Sequence, residues 1–207
     1  MLQLETIERN TFLLLKDLMQ IPEISYFNLA GGTTLALYLG HRKSIDLDLF
    51  TTKEFESTKL VELLMDTYQL SSIVTSKNAL SLYILYNEKN VKIDFLRHNY
   101  QIIKPSVIED GIRLYSIEDV AAMKLNAILN RGAKKDFYDI YELLKHYSLH
   151  DLVGFFKIKY PNTNVLMLIK SLDYFLDADV EPDPITLNKA KWSDIKEEIS
   201  NQIRINY

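Results

Sequence analysis

The stretch LAGGTTLALYLGHRKSIDLDLF, residues 29–50, decides how this chain is read. Two adjacent glycines, Gly31 and Gly32, precede a short apolar run that reads as a helix over 33–39, with Thr33 or Thr34 as its cap and Gly40 as its stop. A basic turn then leads into IDLDLF, residues 45–50, whose strict alternation predicts a strand. In a strand, residues two apart share a face. Asp46 and Asp48 therefore project together, with Ile45, Leu47 and Leu49 expected on the core side. Asp is disfavoured in strands, and two carboxylates this close repel unless a proton or cation lies between them.

A divalent metal resolves that repulsion. Mg²⁺ takes one or two protein carboxylates and completes its shell with water and phosphate oxygens. A third candidate is Asp94, in the strand pattern VKIDFL (91–96), which follows LSLYILY (80–86) across the polar turn NEKN. If the strands of Asp48 and Asp94 are neighbours, three carboxylates can hold two metals for an in-line phosphoryl displacement. Strand-end aspartates also commonly face solvent, and a glycine pair before a helix is often only a turn. Together, however, glycines that let a backbone approach a phosphate, a helix N-terminus with unsatisfied N–H groups and two strand aspartates point to a triphosphate site.

Bulk properties narrow the alternatives. The 207 residues carry a net charge of −4, so any nucleic-acid contact is expected to be a local patch. The absence of cysteine excludes disulfides, thiolate metal sites and a cysteine nucleophile. No apolar run reaches the roughly 18 residues of a membrane span, and the first residues lack a signal-peptide order; a cytoplasmic protein with no membrane partner is the expectation. His41, His98, His146 and His150 show no metal-ligand spacing, and His41 is expected at the surface.

Helices are expected over 4–20, 55–69, from Ser116 to about Arg131, and over 134–147, 163–177 and 192–204. Trp192 is expected to anchor the last. Ser116 and Asp119 resemble a capping box. The expected class is α+β, with a mixed sheet and flanking helices over 1–112 and a helical half over 113–207. Lys124 and Arg131, seven apart, share one helix face, where they form either a solvated surface or an anion clamp. Asp136 and Asp139 suit a helix start; Asp139 can pair with Lys135 or hold Lys124 or Arg131 in place.

These residues carry a family resemblance. AGGTTLALYLGHRKSIDLDLF resembles the signature of the DNA polymerase β-like nucleotidyltransferase superfamily. More narrowly, with KLNAILNRGAKKDFYDIYEL (124–143) and DYFLDADVEPDP (173–184), it resembles the AbiEii/AbiGii toxin family of nucleotidyltransferases. The resemblance implies a small nucleotidyltransferase core completed by the helical half. It also implies transfer of a nucleoside monophosphate from an NTP with release of pyrophosphate. By the same resemblance, Asp46 and Asp48 match the metal pair, and Asp94 the third carboxylate that activates the acceptor. Gly31, Gly32 and Thr33 match the phosphate turn, and Arg42 and Ser44 the R-x-S that steadies phosphate oxygens. Lys124 and Arg131 would act on the triphosphate, with Asp139 as a positioning residue. Lys135 stands where arginine is expected, which keeps charge but loses a bidentate fork. RNA, in particular the tRNA 3′ end, is the implied acceptor, and a bacterial toxin–antitoxin or phage-defence role with a separate antitoxin is the implied setting. The basic residues between 89 and 135 favour RNA. A small-molecule or protein hydroxyl as acceptor, or a non-catalytic nucleotide-binding protein, are the alternatives.

Overall fold

The computed structural model describes residues 1–207, which form two units. Unit one comprises 1–38, 44–100 and 106–115; unit two comprises 39–43, 101–105 and 116–207.

Unit one is built on a seven-stranded mixed sheet in the order β3-β4-β5-β2-β1-β7-β6. The strands are β1 (Asn28–Leu29), β2 (Leu47–Thr51), β3 (Gln69–Ser76), β4 (Ala79–Tyr86), β5 (Lys89–Arg97), β6 (Val107–Glu109) and β7 (Ile112–Leu114). β2 runs parallel to β5, and β1 parallel to β7; the other pairings are antiparallel. Period-two alternation puts Leu47 and Leu49 of β2, Leu80, Leu82 and Ile84 of β4, and Ile93 and Phe95 of β5 on one buried face. Helix α1 (Arg9–Gln20) adds Leu14, Leu15 and Leu18 to that core. Phe27 packs edge-on against Phe55 and Phe95 at about 5 Å between centroids. The β4–β5 turn closes through Asn87 and Glu88, both at positive φ, as a two-residue hairpin with right-handed strand twist requires.

The sheet is larger than the sequence pattern suggests. β3 is an edge strand with most residues exposed, so no apolar alternation marks it; β6 and β7 are only three residues each. β2 begins at Leu47 rather than Ile45, and Ile45 is 70% exposed rather than core. The expected 4–20 helix is a 3₁₀ turn (Leu4–Thr6) followed by α1, which Glu8 caps by accepting from the amides of Asn10 and Thr11. Helix α2 spans Gly31–Leu39, so Thr33 and Thr34 lie inside it and are not caps; Thr34 donates back to the Ala30 carbonyl at 2.8 Å. Helix α3 is confined to Ser57–Met65.

Unit two is helical: α4 (Ile117–Asn130), α5 (Lys134–Leu143), α6 (Leu149–Lys159), α7 (Val165–Leu172), α8 (Leu176–Asp179) and α9 (Trp192–Asn206). α5 stops four residues short of the expected end. α6, absent from the sequence expectation, starts at a complete capping box between Ser148 and Asp151. The expected 163–177 helix is two pieces separated at 173–175. Trp192 anchors α9 by lying parallel to Tyr138, edge-on to Phe137 and Phe175, and donating to Asp179 at 2.6 Å.

Ser116 caps α4 by accepting from the Asp119 amide at 3.1 Å, but the Asp119 carboxylate does not complete a box. It faces the interior and accepts from Lys159 Nζ at 2.7 Å and from the Ile103 and Lys104 amides at 3.0 Å. Both Asp119 and Lys159 are fully buried. Breaking one side of such a pair strands a charge. Asp119→Ala is expected to lower unfolding stability by about 3–5 kcal/mol, and Asp119→Leu combined with Lys159→Met to recover most of the loss, as read by urea unfolding. A single Asp119→Ala variant as stable as wild type would contradict this account.

Candidate nucleotidyl-transfer site

The carboxylates come first. β2 and β5 are in parallel register with Asp48 opposite Asp94, so those two side chains sit side by side on the sheet face away from the core. Asp46, two residues before Asp48, immediately precedes β2 and is likewise partly exposed. Lys92, two residues before Asp94 on the same face, donates to Asp94 Oδ2 at 2.5 Å. Burial works to lower the Lys92 pKa, but its hydrogen bond to Asp94 and the charges of Asp94, Asp46 and Asp48 outweigh burial, and the net shift is upward. The ammonium thus lies in the field of all three carboxylates. No three carboxylates or imidazoles converge on one point. The Asp48–Asp94 pair nevertheless suits Mg²⁺, which needs only one or two protein carboxylates.

The glycine turn serves this arrangement directly. Gly31 has φ +66°, and a Cβ there would overlap the Asp48 carboxylate. The Ala30 amide also donates to the Asp48 carbonyl at 2.8 Å, tying the turn to β2. Glycine is thus required at 31 for the close approach of Asp48, while Gly32 and Thr33 continue the first turn of α2, whose N–H groups have no partners within the helix. The Thr33 hydroxyl donates to the Asp46 carbonyl and shares a 2.8 Å hydrogen bond with the Ser44 hydroxyl. With Thr33 donating to Asp46, Ser44 is the donor to Thr33. Both hydroxyls therefore hold the start of β2 in place.

In unit two, a second constellation gathers around two aspartates of α5. Asp139, fully buried, accepts a bidentate fork from Arg42 (Nε 2.7 Å, Nη2 2.9 Å), pairs with Lys124 Nζ at 2.7 Å and bonds His41 Nε2 at 2.7 Å. Asp136, also fully buried, takes Lys124 at 2.8 Å and a second fork from Arg131 (3.0 and 3.2 Å). Burial pushes both carboxyls up; the charges of Arg42 and Lys124 hold Asp139 well below the usual carboxylate range, and Lys124 and Arg131 lower Asp136. Lys124, lowered by burial, is raised overall by Asp139 and Asp136. Three cations, Arg42, Lys124 and Arg131, face two carboxylates, so positive charge is in surplus in the cluster.

This arrangement corrects several expectations. His41 is 2% exposed rather than at the surface, and its Nδ1 is buried without a hydrogen-bond partner. Arg42 directs its fork to Asp139, and Asp139 pairs with Arg42, Lys124 and His41, while Lys135 is exposed. Lys134, not Lys135, is the buried basic residue at the start of α5, reaching Glu181 and Asp183 and lying over the Trp192 ring. Most of the basic residues between 89 and 135 are engaged within the chain. Lys89, Lys92, Arg97, Lys104, Lys124, Arg131 and Lys134 each pair with an acidic side chain, and Arg113 donates to the Met19, Ile24 and Phe27 carbonyls. Residues 41–43 join unit two because their backbone pairs with 185–187.

A cavity of about 280 Å³ opens beside Asp48 and Asp94, and its walls include Phe50, Ala79, Ser81 and Leu96. A bigger one of about 940 Å³, bordered by Glu23, Tyr26, Phe55 and Leu60, holds none of the candidate residues. Lys92 and Phe50 were both discoverable from the sequence, since each lies two positions from a strand aspartate and so shares its face. His41 carries no local signal, because its partner is 98 residues away.

A glycine turn packed under a strand aspartate, on a mixed sheet carrying a cross-strand carboxylate pair, is the arrangement that the nucleotidyltransferase resemblance implies. The family model for "Nucleotidyl transferase AbiEii toxin, Type IV TA system" matches residues 13–204, and the chain belongs to that family. It is 34% identical over 190 residues to protein aq_aa25 of Aquifex aeolicus (strain VF5), covering 86% of each chain. The fold is shared with JHP933 from Helicobacter pylori (TM-score 0.63, 21% identity, 98% of this chain and 90% of that one). It is also shared with an H. pylori structure described as that of a candidate nucleotidyltransferase (TM-score 0.61, 21% identity, 93% and 89%).

The Asp139 cluster makes a pH-dependent prediction. A carboxyl whose folded pKa lies below its unfolded value contributes stability that is complete above about pH 4 and is lost as pH falls toward the folded pKa. Lys124, raised, contributes below about pH 10.4 and loses its contribution only above that. Thermal melts should therefore be flat near neutrality and fall in acid. Asp139→Asn should lower the neutral-pH melting temperature and flatten the acid decline. An acid decline unchanged by Asp139→Asn would contradict the assignment.

Proposed function

We propose that this protein is a Mg²⁺-dependent nucleotidyltransferase that moves a nucleoside monophosphate from an NTP to an RNA hydroxyl, the tRNA 3′ end being the acceptor. On this reading it is the toxin of a bacterial toxin–antitoxin or phage-defence system acting in the cytoplasm with a separate antitoxin. No helix is long and apolar enough to cross a membrane. The observation that carries the reading is the Asp48–Asp94 pair set side by side by the β2–β5 register, with the Lys92 ammonium donating to Asp94.

Asp48 and Asp94 would hold the magnesium, with Asp46 adding negative charge close by. Bound there, it would neutralise the charge developing on the α-phosphate and on the departing pyrophosphate. The first turn of α2 offers N–H groups and the positive end of the helix dipole to the triphosphate. Asp94 accepts the proton of the acceptor hydroxyl once Lys92 has released it, and the acceptor oxygen bonds to the α-phosphorus as the α–β bridging bond breaks. Ser44 and Thr33 keep Asp46 in register through its backbone. The surplus positive charge of the Arg42–Lys124–Arg131 cluster favours a polyanionic ligand, and Arg131, whose side chain is 56% exposed, is its most accessible cation.

The test is label transfer from each α-³²P NTP to total bacterial RNA with Mg²⁺. Wild type should label a tRNA-sized band, and Asp48→Asn should lower the rate on the order of 10²–10³-fold through lost charge stabilisation. Full activity in Asp48→Asn would refute the metal reading; label on protein alone would refute the RNA acceptor.

A further inference from the structure

The open face of the sheet carries more than carboxylates. Period two places Phe50 in line with Asp46 and Asp48, and Leu96 in line with Asp94. The His98 amide donates to the Thr51 carbonyl at 2.7 Å, which extends the β2–β5 ladder by one residue. His98 then stacks on Phe50, with centroids 5.8 Å apart and planes 29° apart, and Tyr100 follows at 4.6 Å. Phe50, His98 and Tyr100 thus form a chain of ring contacts, ending in the half-exposed Tyr100.

The cavity beside them has small residues where it meets the sheet. Ala79 lies opposite Leu96, and Ser81 opposite Asp94. Phe50, Leu96 and Val74 supply apolar walls, and Asp48 and Asp94 supply the charged end. At about 280 Å³ it lies at the small limit for ligand pockets, the scale of one base and its sugar and not of a peptide. Away from Asp48 and Asp94, its lining has hydroxyls and apolar groups but no further acid to hold a polycationic small molecule. Flat apolar walls continuing into a chain of rings are what successive bases of a single strand stack on.

We propose that Phe50, with His98 and Tyr100, is the stacking platform for the terminal bases of a single-stranded RNA acceptor. The last base lies against Phe50 in the cavity, its sugar hydroxyl toward Asp94 and its 2′-hydroxyl within the reach of Ser81. The inference rests on the RNA-acceptor reading above and adds to it the residues that seat the strand. It makes Phe50 a specificity-determining residue that acts on acceptor binding and not on the NTP.

The experiment uses a short single-stranded oligoribonucleotide with 2-aminopurine at its 3′ end, titrated with the full-length protein without NTP. Stacking on Phe50 should quench the fluorescence. Phe50→Ala and Phe50→Leu should abolish the quench and weaken binding about tenfold, and Phe50→Trp should restore both. Phe50→Leu keeps the apolar bulk, and thermal melts of each variant separate lost stacking from lost folding. In label transfer, the same substitutions should raise the acceptor KM about tenfold and leave the NTP KM within about twofold. Quenching by Phe50→Leu equal to wild type, or no quenching by wild type, overturns the platform. Wild-type transfer to RNA with an unchanged acceptor KM in Phe50→Leu overturns the platform and leaves the RNA-acceptor reading standing. Wild-type quenching without any transfer overturns that reading and with it the acceptor role of the platform, leaving Phe50 as a base-stacking site alone.

Discussion

Carboxylates brought together on one face of a sheet need a cation among them, and much of unit one follows from that constraint. The parallel register of β2 and β5 sets Asp48 beside Asp94. Gly31 lacks a side chain so that Asp48 can lie against the turn. Thr33 and Ser44 hold the backbone at Asp46. Lys92 supplies the cation in this structure. Removing the cation without replacing it leaves repulsion that the register cannot relieve, because the same register holds Leu47, Leu49, Ile93 and Phe95 in the core.

The second unit solves the opposite problem. There the charges are buried, and burial is tolerable only because every carboxylate oxygen is engaged by a cation or an imidazole. Asp136 and Asp139, three apart on α5, divide the work: Asp136 takes Arg131, Asp139 takes Arg42 and His41, and Lys124 bridges them. Such a cluster leaves positive charge in surplus while engaging both carboxylates fully.

What the sequence reveals follows the range of the forces involved. The D-x-D alternation, the Gly31 turn and the Ser116 cap are readable because period, spacing or a three-residue motif encodes them, whereas Asp139 stays open between Lys135, Lys124 and Arg131 because its partners lie on other elements. The strand adjacency of Asp48 and Asp94 needed the family resemblance, since nothing local pairs β2 with β5. Thr33 and Thr34 look like caps because the preference of Thr for helix starts is strong, yet both lie inside α2, where Thr33 bonds the distant Asp46 carbonyl and Thr34 bonds back to the Ala30 carbonyl four residues earlier. β3 is missed because an edge strand faces solvent and loses its alternation, and Ile45 is misplaced because the strand begins two residues later. His41 looks like a surface residue in a basic turn; it is buried because a partner on α5 makes its ring a satisfied hydrogen-bonding group on one side. The run of lysines and arginines shows the same limit: the acids that pair with Lys124, Arg131 and Lys134 are fixed by folding and not by local spacing.

The central claim is that the Asp48–Asp94 face is a cation site for which Lys92 and a divalent ion compete. Titrating Mn²⁺ into wild type, Asp48→Asn and Lys92→Met, with free ion read by electron paramagnetic resonance, tests it most directly. The account predicts saturable binding in wild type, a loss of about 10–100-fold in affinity for Asp48→Asn, and binding at least as tight as wild type for Lys92→Met. Equal Mn²⁺ affinity in wild type and Asp48→Asn would contradict it.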